Sequence, residues 1–334
     1  MFGDGPDVPA TGIEGRRTMS KRFVGSRQTT LGRAIELSGI GLHSGAPVSM
    51  VLHPAEADTG YRFLVTKRGR ILAEIPGHVD HVKNLTLCTV LGDESGVTIG
   101  TVEHLLAALR GLSIDNCYIE VDAREVPIMD GSAAAFVAAV DGVGIRELLR
   151  PRKFLKVLKP VRVEEGGSWG ELRPHSGFRL DVEIDFETPL IGKQRYALEM
   201  NSGAFRNEVA RARTFGFMRD VECLWKAGLA LGASLENSVA LADDRVMNPE
   251  GLRYPHEFVR HKMLDAVGDL ALAGAPILGA YQSLRGGHRL NAYVLRKLLA
   301  DADAWTMVSA PQVRDTMPVD LSMGRAVQYA ADRT

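Results

Sequence analysis

His261, Asp265 and Asp269 stand four residues apart within the otherwise apolar stretch HKMLDAVGDL at 261–270. Residues four apart on an α-helix lie one above the other, drifting by about 40° per step. The spacing therefore predicts a helix carrying an imidazole and two carboxylates along one stripe, with Leu264, Val267 and Ala271 turned toward a core. Buried carboxylates are unfavourable unless they are paired or bind a cation. Such a stripe demands partners from elsewhere in the chain. A metal site is the reading adopted; a structural salt-bridge ladder with Arg260 and Lys262 is the alternative.

A chain of 334 residues, 45% of them hydrophobic, can bury one large or two medium cores. A formal net charge of -1 gives no electrostatic case for nucleic acid or an anionic membrane surface. No apolar run approaches the roughly 18 residues of a membrane span; the longest is broken by Gly274 and Pro276. Cys88, Cys117 and Cys223 are widely spaced and odd in number, which reads as reduced core thiols in a cytoplasmic protein. Residues 1–27 lack periodicity and the apolar core of a secretory signal. They read as a disordered leader, with Met19 as a second start.

The remainder divides into two halves of the same order. Strands are expected over 29–36, 46–52, 61–66 and 85–91, then a helix over 102–110 stopped by Gly111. A strand over 116–121 follows, and Ser132 caps a helix over 133–140. The second half repeats this with strands over 154–164, 170–173 and 178–186, a helix over 258–273, a strand over 277–281 and a helix over 289–300. His53-Pro54 before Gly60-Tyr61-Arg62-Phe63 is echoed by Arg173-Pro174 before Gly177-Phe178-Arg179-Leu180. The expectation is an internal duplication of α+β type. It has an N-terminal domain over 28–150, a C-terminal domain over 151–300 and a tail over 301–334.

In each half a histidine lies on the first helix after the strand block. Packing those helices together would bring His104 beside His261 and Asp265, three ligands that leave an open position, as in catalytic zinc sites. Fe²⁺ also suits such a set. Glu103 precedes His104 and is placed to take a proton from water at that open position. Alone, His104 would read as an ordinary core histidine. Position 108 is Ala, so the HExxH helix of zincin peptidases is absent. His288 follows the glycine turn Gly286-Gly287, with Asp269 as the natural carboxylate to hold its ring and raise its pKa. Thr214 is a candidate oxyanion donor and Phe215 a wall for sugar or acyl chain; a strand edge with solvated arginines is the plainer reading of 211–218. The apolar stretch over 218–235 reads equally as an acyl groove or as core. His78 and His81, in a polar loop, read as surface or substrate-proximal.

Five separated motifs now stand together: TVEHLLAAL at 101–109, VPIMDGSA at 126–133, ARTFGF at 212–217, HKMLDAVGDL at 261–270 and GGHRLN at 286–291. Their order and content closely resemble the UDP-3-O-acyl-N-acetylglucosamine deacetylases, zinc amidases of lipid A biosynthesis in Gram-negative bacteria. The resemblance spans about residues 28–300. It implies zinc ligation by His104, His261 and Asp265, with Glu103 as general base and His288 as second catalytic residue paired with Asp269. It also implies Thr214 beside the oxyanion, Phe215 near the substrate and Lys262 toward the nucleotide phosphates. The implied fold is two similar domains, each a β-sheet with a pair of helices, the helices packed between the two sheets. The implied protein is a cytoplasmic, monomeric Zn²⁺ enzyme acting on a UDP-3-O-acyl-N-acetylglucosamine. It needs neither nucleic acid nor a membrane anchor, although its amphiphilic substrate makes transient inner-membrane contact plausible. Two rivals are a hydrolase of the same fold acting on another amide, and a non-catalytic nucleotide-sugar binding module. Intact Glu103 and His288 weigh against the second.

Overall fold

The computed structural model describes residues 25–310. The first half runs β1 (Arg27–Leu31), β2 (Ile35–Ile40), β3 (Pro47–Pro54), β4 (Tyr61–Lys67), β5 (Arg70–Pro76), β6 (Val82–Asn84), β7 (Val90–Gly92), β8 (Thr98–Ile99), helix α1 (Glu103–Gly111), β9 (Cys117–Val121), α2 (Ala134–Val143) and β10 (Ile145–Pro151). The second runs β11 (Lys153–Val157), β12 (Val161–Glu165), β13 (Ser168–Arg173), β14 (Phe178–Asp185), β15 (Lys193–Glu199), the single turn α3 (Ser202–Ala204), β16 (Phe215–Phe217), α4 (Met218–Lys226), β17 (Val239–Leu241), α5 (Glu257–Leu270), β18 (Ile277–Leu284), α6 (His288–Ala300) and β19 (Trp305–Ser309).

The duplication is visible in the sheets. The first half orders its main sheet β2-β3-β9-β4-β5, with β4 parallel to β9. In the second half β12, β13, β18, β14 and β15 pair in the same succession, with β14 parallel to β18. In both, the strand that follows the central helix enters the middle of the sheet. The antiparallel pair β1–β10 has its counterpart in β11–β19. Among the described residues, no ladder joins a strand before Arg152 to one after it.

The helices form the layer between. α1 packs on α5 and α2, α5 on β14 and β15, and α6 on β12 and β13. Every α1 residue except Arg110 is buried, and so is all of α5 except Arg260 and Lys262. A helix buried all round has protein on every side. The charged residues of this layer are therefore interior groups whose partners must be protein or ligand.

Several boundaries correct the sequence reading. Residues 305–309 are not tail but β19, which runs antiparallel to β11 from Lys153↔Ser309 to Val157↔Trp305. The second unit therefore continues to Ala310, whose N–H donates to Arg152 O at 2.8 Å. Residues 25–27, placed in the leader, already belong to the fold, because Arg27 pairs with Pro151. The rest of the leader, 1–24, and of the tail, 311–334, lies outside the described residues. The strand expected over 29–36 is two, β1 and β2, in different sheets. That over 154–164 splits into β11 and β12 around Leu158-Lys159-Pro160, since proline offers no N–H to a ladder. The expected strand over 85–91 is a loop followed by β7. The N-cap of α2 is Ala133, which makes no side-chain cap bond, rather than Ser132; Ser132, one residue before it, accepts from Ala134 N–H at 3.1 Å. Cys88 and Cys117 are buried, but Cys223 is exposed on α4 rather than part of a core.

Candidate metal centre and active site

α1 and α5 touch at their functional ends. Gly268 makes that approach possible: a Cβ there would lie 2.0 Å from Glu103 O. The contact sets the first turn of α1, with Glu103 and His104, against the C-terminal half of α5.

His104 Nε2 lies 3.6 Å and His261 Nε2 3.3 Å from the same oxygen, Asp265 Oδ1. The ligand atoms of the three residues all fall within 4.8 Å of one another. A tetrahedral site with metal–ligand bonds of about 2.0–2.1 Å has edges of about 3.3 Å. One edge of the triangle, at 3.3 Å, has that length, and a second, at 3.6 Å, is close to it. Asp265 Oδ1 is buried and has no hydrogen-bond partner among the described residues, whereas Oδ2 accepts from Lys262 Nζ at 2.9 Å. The free oxygen is the one between the imidazoles, so this donor set fits a divalent cation.

The protonation states agree. Burial, the largest influence, pushes the His261 imidazole down to about 3 and outweighs the attraction of Asp265. Its Nδ1 donates to Ala212 O at 3.0 Å, which leaves a neutral Nε2 lone pair facing inward. Burial alone would raise Asp265; the facing His261 imidazole and the Lys262 ammonium reverse this and hold it well below the usual carboxylate range.

Beside the triangle stand a buried carboxylate and an imidazole. Glu103 Oε2 accepts from Thr89 N–H at 3.1 Å, and Oε1 lies 3.8 Å from His288 Nε2. Burial, only partly opposed by His288 and His104, raises Glu103 above the ordinary carboxylate pKa. His288 is the first residue of α6, and its Nδ1 sits 2.9 Å from Asp269 Oδ2. Burial would depress this imidazole, but the charges of Asp269 and Glu103 prevail and push it up to about 10. Asp269 is itself fixed by Thr89 Oγ1 at 2.6 Å and Asn291 Nδ2 at 2.8 Å, and Asn291 by Tyr281 at 2.5 Å.

Thr214 and Phe215 enter on the segment leading into β16. Arg213 anchors it: the side chain is 1% exposed and donates to Glu257 Oε1 at 3.0 Å and Gly251 O at 2.7 Å. Arg213 is therefore not one of the solvated arginines of a strand edge, whereas Arg211 is exposed. The same anchor holds Ala212 O against His261. The Phe215 ring lies 6.3 Å from the His261 ring, with Lys262 Nζ 5.5 Å from its centroid. Thr214 and Phe215 line an apolar cavity of about 380 Å³ together with Leu42, Leu224, Trp225 and Leu235. So 218–235 does line a groove, and α4 forms one of its walls.

Sequence reasoning singled out neither Thr89 nor Tyr281, and it gave Asn291 no role. Asn291 carried a signal, since it lies three residues after His288 on one helix face. Thr89 carried none: it reaches both Glu103 and Asp269 from a loop.

Fold and site together define a class: a duplicated α+β protein with a buried His/His/Asp group able to hold a metal ion, next to a buried carboxylate–imidazole pair. Comparison with known proteins narrows it. The sequence model of the LpxC family, described as UDP-3-O-acyl N-acetylglycosamine deacetylase, matches residues 28–300. Proteins named UDP-3-O-acyl-N-acetylglucosamine deacetylase from Brucella melitensis and Brucella ovis are each 53% identical over 286 residues, covering 85% of this chain and 99% of the relative. One from Brucella abortus matches to the same extent. The chain belongs to the UDP-3-O-acyl-N-acetylglucosamine deacetylase family.

Proposed function

We propose that this protein hydrolyses the N-acetyl group of a UDP-3-O-(3-hydroxyacyl)-N-acetylglucosamine to the free amine and acetate, in lipid A biosynthesis, with Zn²⁺ as its metal. The observation that carries the reading is the unpartnered Asp265 Oδ1 between two imidazole Nε2 atoms, with Glu103 and His288 3.8 Å apart beside it.

Zinc held by His104, His261 and Asp265 would supply Lewis acidity toward the amide carbonyl and lower the pKa of water toward about 7. Glu103, made more basic by burial, takes the proton of the attacking water. Thr89 N–H holds one of its oxygens, so the other faces the reaction space. His288, cationic at neutral pH, stabilises the oxyanion with Thr214 assisting from the groove wall. The proton for the leaving amine comes from His288 or from Glu103 after it has been protonated. Asp269 keeps His288 oriented and charged. The acyl chain lies in the cavity walled by Leu224 and Trp225, and Lys262 serves the nucleotide phosphates. Among the described residues no helix is long and apolar enough to cross a membrane. A cytoplasmic monomer that meets its substrate at the inner membrane is the setting proposed.

The test is acetate release by the purified protein from a panel of UDP-sugars, before and after chelation. Chelator-sensitive release that requires the 3-O-acyl group supports the reading. Equal release from the unacylated sugar would favour a different amide substrate, and binding without release a non-catalytic module.

A further inference from the structure

Thr89 is 1% exposed and touches both carboxylates that flank His288. Strand register puts it there. β7 and β8 form an antiparallel hairpin with Leu91 opposite Ile99, so residue 89 returns beside the segment that enters α1. Val102 N–H, just before α1, faces Thr89 O at 3.5 Å.

The two donors of Thr89 divide between the two halves of the molecule. Its backbone N–H reaches Glu103 Oε2 on α1 at 3.1 Å, and its hydroxyl reaches Asp269 Oδ1 on α5 at 2.6 Å. An ionised carboxylate only accepts, so the hydroxyl is the donor. The oxygens it takes are not those nearest His288. Glu103 Oε1 is left 3.8 Å from His288 Nε2, and Asp269 Oδ2 2.9 Å from His288 Nδ1. Among the described residues Thr89 alone bonds Asp269 Oδ1, since Asn291 donates to the oxygen shared with His288. Terminal carboxylate torsions have broad minima, so their angle is set by hydrogen-bond partners rather than by rotamer preference.

We infer that Thr89 is a positioning residue for deacetylation: it fixes the rotation of Glu103 and Asp269 so that they address opposite nitrogens of His288. The inference rests on the roles proposed above for Glu103 and His288. It assigns the effect to the hydroxyl, whereas a threonine that only filled space would act through its methyl group.

The test removes the hydroxyl alone. Thr89→Val keeps the shape of the side chain and the backbone N–H to Glu103. In the full-length, zinc-loaded protein it should lower kcat for acetate release at least about tenfold, with KM within about twofold and zinc content unchanged, while Thr89→Ser stays within about threefold of wild type. In the Asp269→Asn background Thr89→Val should cost less than about twofold, because its effect runs through Asp269. That double variant leaves no charge unpaired at position 269, so it serves even where Thr89→Val alone does not fold. A readout independent of turnover is the low-field NMR signal of the His288 Nδ1 proton, identified by its absence from His288→Ala. It should shift or broaden in Thr89→Val and hold its place in Thr89→Ser. Wild-type kcat in Thr89→Val, an equal loss in Thr89→Ser, a loss that follows zinc content, a full loss in the Asp269→Asn background or an unmoved signal would each overturn the inference. No acetate release by the wild-type protein would instead refute the deacetylase reading, and the NMR comparison would then decide whether Thr89 orients the two carboxylates.

Discussion

Gly268 sets the distance between the two ligand-bearing helices, and Gly268→Ala should uncouple metal binding from folding. The new Cβ would lie 2.0 Å from Glu103 O, 2.7 Å from its carbonyl carbon and 2.9 Å from its Cα. All three are backbone atoms, so no rotamer can relieve the clash. Normal C···O contacts begin near about 3.3 Å, so the helices must part by about 1.3 Å. Overpacking of this kind costs about 1–3 kcal/mol. The larger effect falls on the site, because His104 travels with α1 while His261 and Asp265 travel with α5. Ligand distances in metal sites tolerate only about 0.2 Å, and a displacement of about 1 Å near the chemistry costs about a hundredfold in rate. The expected outcome is a zinc affinity lowered at least about tenfold by competitive chelator titration, turnover down about a hundredfold at saturating zinc, and a cooperative unfolding transition retained. Gly142→Ala is the control: that glycine lies in α2 with nothing within 4 Å of a Cβ. It should stabilise by about 0.4–1 kcal/mol without touching zinc affinity. Wild-type zinc affinity and turnover in Gly268→Ala would refute the reasoning.

Three further outcomes are expected. Glu103→Gln and His288→Ala should each lose at least about a hundredfold in kcat with zinc content unchanged; near-normal turnover in either removes its assigned role. His288 has a raised pKa, so the stability and activity that depend on its charge are complete below its ordinary pKa near 6.5 and fade as pH rises through about 10. Asp269→Asn withdraws the main raising charge and should move the alkaline limb of the kcat profile to lower pH, which an unmoved limb would contradict. Arg213→Met leaves Glu257, 0% exposed, as an unpaired buried carboxylate and should cost about 3–5 kcal/mol in urea unfolding; a loss under about 1 kcal/mol would show the pair to be dispensable.

The parts of this site readable from sequence are those whose signal is local. His261, Asp265 and Asp269 announce a shared stripe through helical spacing, and Glu103-His104 are adjacent in the chain. The duplication was readable because β4 and β14 begin with similar residues after similar proline-marked corners. What stayed hidden depends on pairing across the fold. Thr89 sits in a loop where nothing in the neighbouring residues marks it as the clasp on Glu103 and Asp269. Trp305–Ser309 lacks clean alternation, and only its position opposite β11 makes it a strand. Arg213 looks like a surface residue until Glu257, 44 positions later, is seen to bury it.

Anomalous diffraction at the zinc edge, from crystals of the protein loaded with one equivalent of zinc, decides whether the two halves meet on a metal. A single strong peak about 2.0–2.2 Å from His104 Nε2, His261 Nε2 and Asp265 Oδ1 is the expected result. A peak that leaves any one of those three atoms beyond bonding distance, or that lies on other residues, would contradict it.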